Sequence, residues 1–130
     1  MKVLIVDDEH DIKLLFEQRF RKELRTGDLQ FLFAYSGEEA MEVLKDASAA
    51  DIILILSDIN MPGLSGLELL KMVKDRLPHL KVMMITAYGD PETRAKAEGL
   101  GADSFLTKPI DFGALKEAME ALKKNSLEQP

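Results

Sequence analysis

Short apolar runs alternate five times with stretches of helical period along this chain. The runs are Val3–Val6, Leu29–Ala34, Ile52–Leu56, Val82–Ile85 and Phe105–Leu106. The first, third and fourth are continuously apolar, as strands covered on both faces must be. Between the runs, apolar residues recur at helical spacing. Ile12, Leu15, Phe16, Phe20 and Leu24 form one stripe, closed by Gly27. Ala40, Val43, Leu44 and Ala47 form a second, opened by a capping box of Ser36 and Glu39. Leu69, Leu70, Val73 and Leu77 form a third, opened by Ser65 with Glu68 and stopped by Pro78. Leu115, Ala118, Met119 and Leu122 form the last, with Asp111 as its N-cap.

The fourth helix is built differently. Asp90 and Pro91 start it and Gly99 stops it, but its apolar face is little more than Ala95 and Ala97. Little buried area holds it, so it is expected to be the loosest helix.

Strict strand–helix alternation with short connections predicts a parallel sheet with helices on both faces. Five such units suit an α/β, three-layer, doubly wound, flavodoxin-like fold. The strand order 2-1-3-4-5 is the expectation that goes with that fold. Chemistry in such sheets sits beyond the carboxyl ends of the strands, near the switch point. Residues 1–124 are expected to form one domain, with 125–130 an unstructured tail or the start of a linker.

Composition narrows the function. The 130 residues suit one core, and 46% hydrophobic with 31% charged residues is a globular balance. With no cysteine, disulfides and thiolate metal sites are excluded, and the distant His10 and His79 offer no zinc spacing. A net charge of −6 disfavours direct binding of a phosphate backbone. No run is long enough to cross a bilayer, and Asp7 and Asp8 interrupt the N-terminal apolar stretch too soon for a signal peptide. The expected location is the cytoplasm.

The strand ends carry the candidate chemistry: Asp7 and Asp8 after the first, Ser57 and Asp58 after the third, Thr86 after the fourth, Lys108 and Pro109 after the fifth. Singly, each has a plain structural role as a helix-dipole partner, a turn residue, a cap or a surface lysine. Together they are harder to explain that way. Neighbouring parallel strands lie about 4.8 Å apart, which brings three carboxylates and a hydroxyl together. Two carboxylates 4 Å apart repel by about 4 kcal/mol at an effective dielectric near 20. Lys108 offsets part of this, and a hard divalent cation offsets more; an all-oxygen site favours Mg²⁺ over zinc. A carboxylate-held cation beside a lysine and a hydroxyl is a phosphoryl-transfer arrangement. No Ser–His or Cys–His pair is evident, which leaves the Asp58 carboxylate as nucleophile, giving an acyl phosphate.

Asp7-Asp8, Asp58 followed by Met61-Pro62-Gly63 and Gly66, Thr86-Ala87, and Lys108-Pro109 resemble the signature of receiver domains of two-component response regulators. The resemblance covers about residues 2 to 124. It implies that Asp58 accepts a phosphoryl group from a sensor histidine kinase or phosphotransfer protein. Asp8 would bind Mg²⁺ directly and Asp7 through water, with Asp58 and the backbone carbonyl of Asn60 completing the protein ligands. Lys108 would pair with the phosphoryl group and Thr86 would hydrogen-bond to it. The Lys108–Pro109 bond would be cis. Phe105 occupies the aromatic switch position: as Thr86 moves toward the phosphoryl group, Phe105 would turn inward and repack the face formed by the fourth helix, fifth strand and fifth helix. That change would control a downstream protein or a fused output domain, and phosphorylation-dependent homodimerisation is a further expectation. Tyr88 is placed at the site mouth, where its ring would either restrict water and lengthen the phosphoryl lifetime or face a partner as a surface residue.

Rival readings remain open in the sequence. A phosphatase working through an aspartyl phosphate would carry a second carboxylate two residues after the nucleophile, where Asn60 stands. A flavodoxin-like binding domain would need a phosphate loop after the first strand, where Glu9-His10-Asp11 stands. A degenerate receiver acting as a docking scaffold would not need all of Asp7, Asp8, Asp58, Thr86 and Lys108.

Overall fold

The computed structural model describes residues 1–87 and 90–128, with side chains for all of these except 47, 48 and 125–128. Five parallel strands lie in the order β2-β1-β3-β4-β5: β1 (Lys2–Val6), β2 (Gln30–Ala34), β3 (Ile52–Asp58), β4 (Lys81–Thr86) and β5 (Ser104–Thr107). The helices are α1 (Asp11–Arg19), α2 (Arg21–Thr26), α3 (Gly37–Lys45), α4 (Gly66–Arg76), α5 (Pro91–Gly99) and α6 (Phe112–Glu128), with a 3₁₀ turn over Ala47–Asp51. This is the doubly wound, three-layer order expected from the alternation.

Side-chain alternation divides the core into two layers. Val3 and Ile5 of β1, Leu54 and Leu56 of β3, and Met83 and Ile85 of β4 pack with Phe16, Phe20, Leu115 and Met119 on one face. Leu4, Val6, Ile55, Val82 and Met84 pack on the other face with Ala40, Leu69, Leu70, Val73 and Ala97. β1, β3 and β4 are buried almost throughout, whereas the edge strands β2 and β5 are mostly half-buried. The continuous apolar runs therefore mark the central strands.

Three local expectations are revised. The first stripe is not one helix: it breaks at Phe20 (φ −113°, ψ 23°), whose ring is buried 5.3 Å from that of Phe31. Packing two phenylalanines into one aromatic cluster, with Phe112 5.3 Å from Phe16, outweighs continuity of the helix. Leu15 falls outside that core and is exposed. The Ser36 hydroxyl accepts the Glu39 N–H at 3.0 Å, but the Glu39 carboxylate bonds Tyr35 N–H at 3.3 Å, so the box is displaced by one residue. The fourth predicted helix, α5, ends at Gly99 as expected, and the positive φ that follows it is at Gly101 (101°). α6 runs to Glu128, past the boundary expected at 124, because adding a residue to a formed helix costs far less than nucleating one.

α4 begins with the complete Ser65–Glu68 capping box, and α6 begins with Asp111 accepting Ala114 N–H at 3.1 Å. Asp90 accepts Thr93 N–H at 3.2 Å at the start of α5, where only Ala97 is buried. No helix among the described residues is long and apolar enough to cross a membrane.

Candidate phosphoryl-transfer site

β1 and β3 end side by side, with Val6 in register with Ser57. The switch point lies here, because the chain leaves β1 toward β2 on one side and meets β3 on the other. Asp7 and Asp58 are therefore carried to one place by the two most buried strands, and they are 2% and 4% exposed. Asp8 is the more open neighbour. One carboxylate oxygen from each of Asp7, Asp8 and Asp58 lies within 4.8 Å of the others.

The two buried carboxylates each have a defined donor. Asp7 Oδ1 accepts Glu9 N–H at 2.9 Å. Asp58 Oδ1 accepts Asn60 N–H at 3.2 Å, and its Oδ2 accepts from Lys108 Nζ at 2.9 Å across fifty residues of chain. The Ser57 hydroxyl donates to the Asp58 carbonyl at 3.0 Å. Lys108 follows β5, its own N–H donates to the Thr86 carbonyl at 2.9 Å, and the Lys108–Pro109 bond is cis. Thr86, also 4% exposed, donates its hydroxyl to the Leu106 carbonyl over 3.5 Å, a long bond that leaves the hydroxyl easy to redirect.

Burial raises the Asp7 pKa, the Asp58 charge adds to the rise, and the Glu9 N–H and Lys108 oppose it. Burial works against the Lys108 ammonium, but the bond to Asp58 and the charges of Asp58, Asp7 and Glu9 outweigh it and raise its pKa. Three carboxylates thus face one ammonium in a partly desolvated site. An all-oxygen, negatively charged cluster is the donor set a hard divalent cation requires, so the residues fit Mg²⁺.

The structure therefore brings Asp7, Asp8, Asp58, Thr86, Lys108 and Asn60 to the carboxyl end of the sheet. Phe105 is one element away on β5, half-buried, with the Arg94 guanidinium of α5 4.6 Å from its ring centre. Tyr88 lies outside the described residues. Sequence reasoning passed over three contributors: Glu9, Arg94 and the need for glycine at 66. A Cβ on Gly66 would overlap the Asp58 carbonyl oxygen and stand 2.6 Å from Ile59 Cα. The spacing of Gly66 from Asp58 was visible, but the close approach of α4 to the end of β3 was not.

Comparison with known proteins agrees with this geometry. The family model for the response regulator receiver domain matches residues 3–120. Response regulator protein PilR of Pseudomonas aeruginosa is 42% identical over 89% of this chain, which spans 24% of that protein's length. Sporulation initiation phosphotransferase F of Bacillus subtilis is 31% identical over 92% of this chain and 90% of its own. The crystal structure of response regulator protein TrrA from Thermotoga maritima, in complex with Mg²⁺–BeF, superposes with a TM-score of 0.73 at 31% identity, covering 93% of this chain and 97% of that one. With five parallel strands in the order 2-1-3-4-5 and an acidic cluster at their carboxyl ends, the chain belongs to the response regulator receiver domain family and serves as a receiver in two-component signalling.

Proposed function

We propose that Asp58 is the phosphoacceptor, taking its phosphoryl group from a phosphohistidine on a sensor kinase or phosphotransfer protein. One observation carries this reading: Lys108 Nζ stands 2.9 Å from Asp58 Oδ2, while the Asp7 and Asp8 carboxylates lie within 4.8 Å. An Asp58 oxygen forms the new P–O bond as the donor's P–N bond breaks and the imidazole departs. Lys108 takes up charge on the phosphoryl oxygens, and the Thr86 hydroxyl leaves the Leu106 carbonyl to donate to one of them. Asp7, Asp8, Asp58 and the Asn60 carbonyl would hold Mg²⁺, which when bound supplies positive charge to the transferring group.

Movement of Thr86 opens space for Phe105, whose turn inward breaks its stacking with Arg94 and alters the face of α5, β5 and α6. That face is where a downstream protein or a fused output domain reads the switch. The chain catalyses only its own phosphorylation and dephosphorylation, in the cytoplasm, where the kinase would present its phosphohistidine. Asn60 in place of a second carboxylate supports this over a phosphatase.

Incubation with acetyl phosphate and Mg²⁺, followed by intact-mass measurement, tests the proposal. The parent is expected to gain one phosphoryl group and Asp58→Asn none; a gain that survives Asp58→Asn overturns it.

A further inference from the structure

Residues 59–65 join β3 to α4 and carry Asn60, whose N–H donates to Asp58 Oδ1 at 3.2 Å. Backbone bonds hold the two ends of this loop: Ile59 N–H donates to the Ile85 carbonyl at 3.1 Å, and Gly66 N–H to the Ile59 carbonyl at 2.9 Å. The middle is held from a different element. Glu38, in the first turn of α3, accepts Leu64 N–H on Oε1 at 2.6 Å across 26 residues of chain. Its carboxylate also lies against Gly63, where a Cβ would stand 3.1 Å from Oε2. Gly37 makes an independent contact, since a Cβ there would lie 2.7 Å from the Leu64 carbonyl oxygen and 2.9 Å from Leu64 Cβ. The start of α3 is thus seated on the Gly63–Leu64 peptide by a charge-assisted hydrogen bond and a close approach. The Glu38 charge is favoured there by the positive end of the α3 dipole.

We propose that Glu38 is a positioning residue for the metal-binding loop: through Leu64 it holds the segment bearing Asn60 in place beside Asp58, so that the Mg²⁺ site is formed before the ion arrives. The inference rests on reading Asp7, Asp8, Asp58 and Asn60 as that site. A loop left free would have to be ordered on binding, which weakens affinity without altering the reacting groups.

Calorimetric titration with Mg²⁺ alone tests it on the parent, Glu38→Ala, Glu38→Gln and Gly37→Ala, each first verified as folded by circular dichroism. Glu38→Ala is expected to bind about three- to tenfold more weakly, the range of one ordinary hydrogen bond, because solvent screens the charge at this exposed site. Glu38→Gln keeps an acceptor oxygen and should stay within about twofold of the parent. Gly37→Ala displaces Leu64 without changing charge and should weaken binding as Glu38→Ala does. With acetyl phosphate, both weakened variants should need more Mg²⁺ for half-maximal phosphorylation yet reach the parent's maximal rate. Unchanged Mg²⁺ affinity in folded Glu38→Ala overturns the positioning role alone. Equal loss in Glu38→Ala and Glu38→Gln, with none in Gly37→Ala, also overturns it, because the effect is then one of charge. A parent that binds no Mg²⁺ overturns the underlying site reading, and the inference with it.

Discussion

Asp7 is buried beside Asp58 with its pKa raised, chiefly by burial. Such a carboxyl favours the folded chain below its ordinary value of 3.8 and loses that contribution as pH rises through the folded value. At neutral pH the ionised Asp7 therefore opposes folding. Asp7→Asn keeps an oxygen for the Glu9 N–H while removing the charge, so in EDTA its urea midpoint should exceed the parent's, by a margin that grows with pH across that window. Addition of Mg²⁺ should stabilise the parent far more than the variant. An equal or lower midpoint in EDTA contradicts this account. Gly66 sets a steric condition on the same site. Gly66→Ala forces the start of α4 away from Asp58 and Ile59, at a cost of about 1–3 kcal/mol of stability, measurable by denaturant unfolding.

Among the elements, α5 is held more loosely than α4. Its buried set is Ala97 alone, against Gly66, Leu69, Leu70 and Val73 on α4. Local opening free energy rises with buried apolar contact, so native-state hydrogen exchange should be faster in α5 than in α4. Comparable protection in the two helices would remove the physical basis for α5 as the movable part. The weak apolar face of this helix was legible in the sequence. What tethers it was not: the Arg94 guanidinium over Phe105 joins residues eleven apart on different elements, and no spacing rule links a helix cation to an aromatic ring on a strand. The break at Phe20 was hidden for a similar reason, because helical period continues through it while tertiary aromatic packing decides the backbone.

For the whole molecule, a ligand that binds only the folded state stabilises it by mass action, by about 2.7 kcal/mol at roughly 100 times Kd. Beryllofluoride with Mg²⁺ should therefore raise the melting temperature of the parent and leave Asp58→Ala nearly unchanged. Amide chemical shifts should change on α5, β5 and α6 as well as at the site. Changes confined to the site would mean that occupation of Asp58 does not reach that face. Size-exclusion chromatography of the same sample tests whether the altered face pairs two chains.

The alternation of apolar runs and helical stripes determined the class of fold, and the strand-end residues determined the candidate chemistry, because both follow from local period and residue type. Asp58, Asp7, Asp8, Thr86 and Lys108 were legible for that reason: each stands one or two residues after an apolar run that could be read as a strand. Only the tertiary structure decided which oxygen Lys108 meets, that Glu38 reaches Leu64, and that Gly66 must lack a side chain. These are contacts between segments far apart in the chain, and their distances are set by how helices and strands pack against one another.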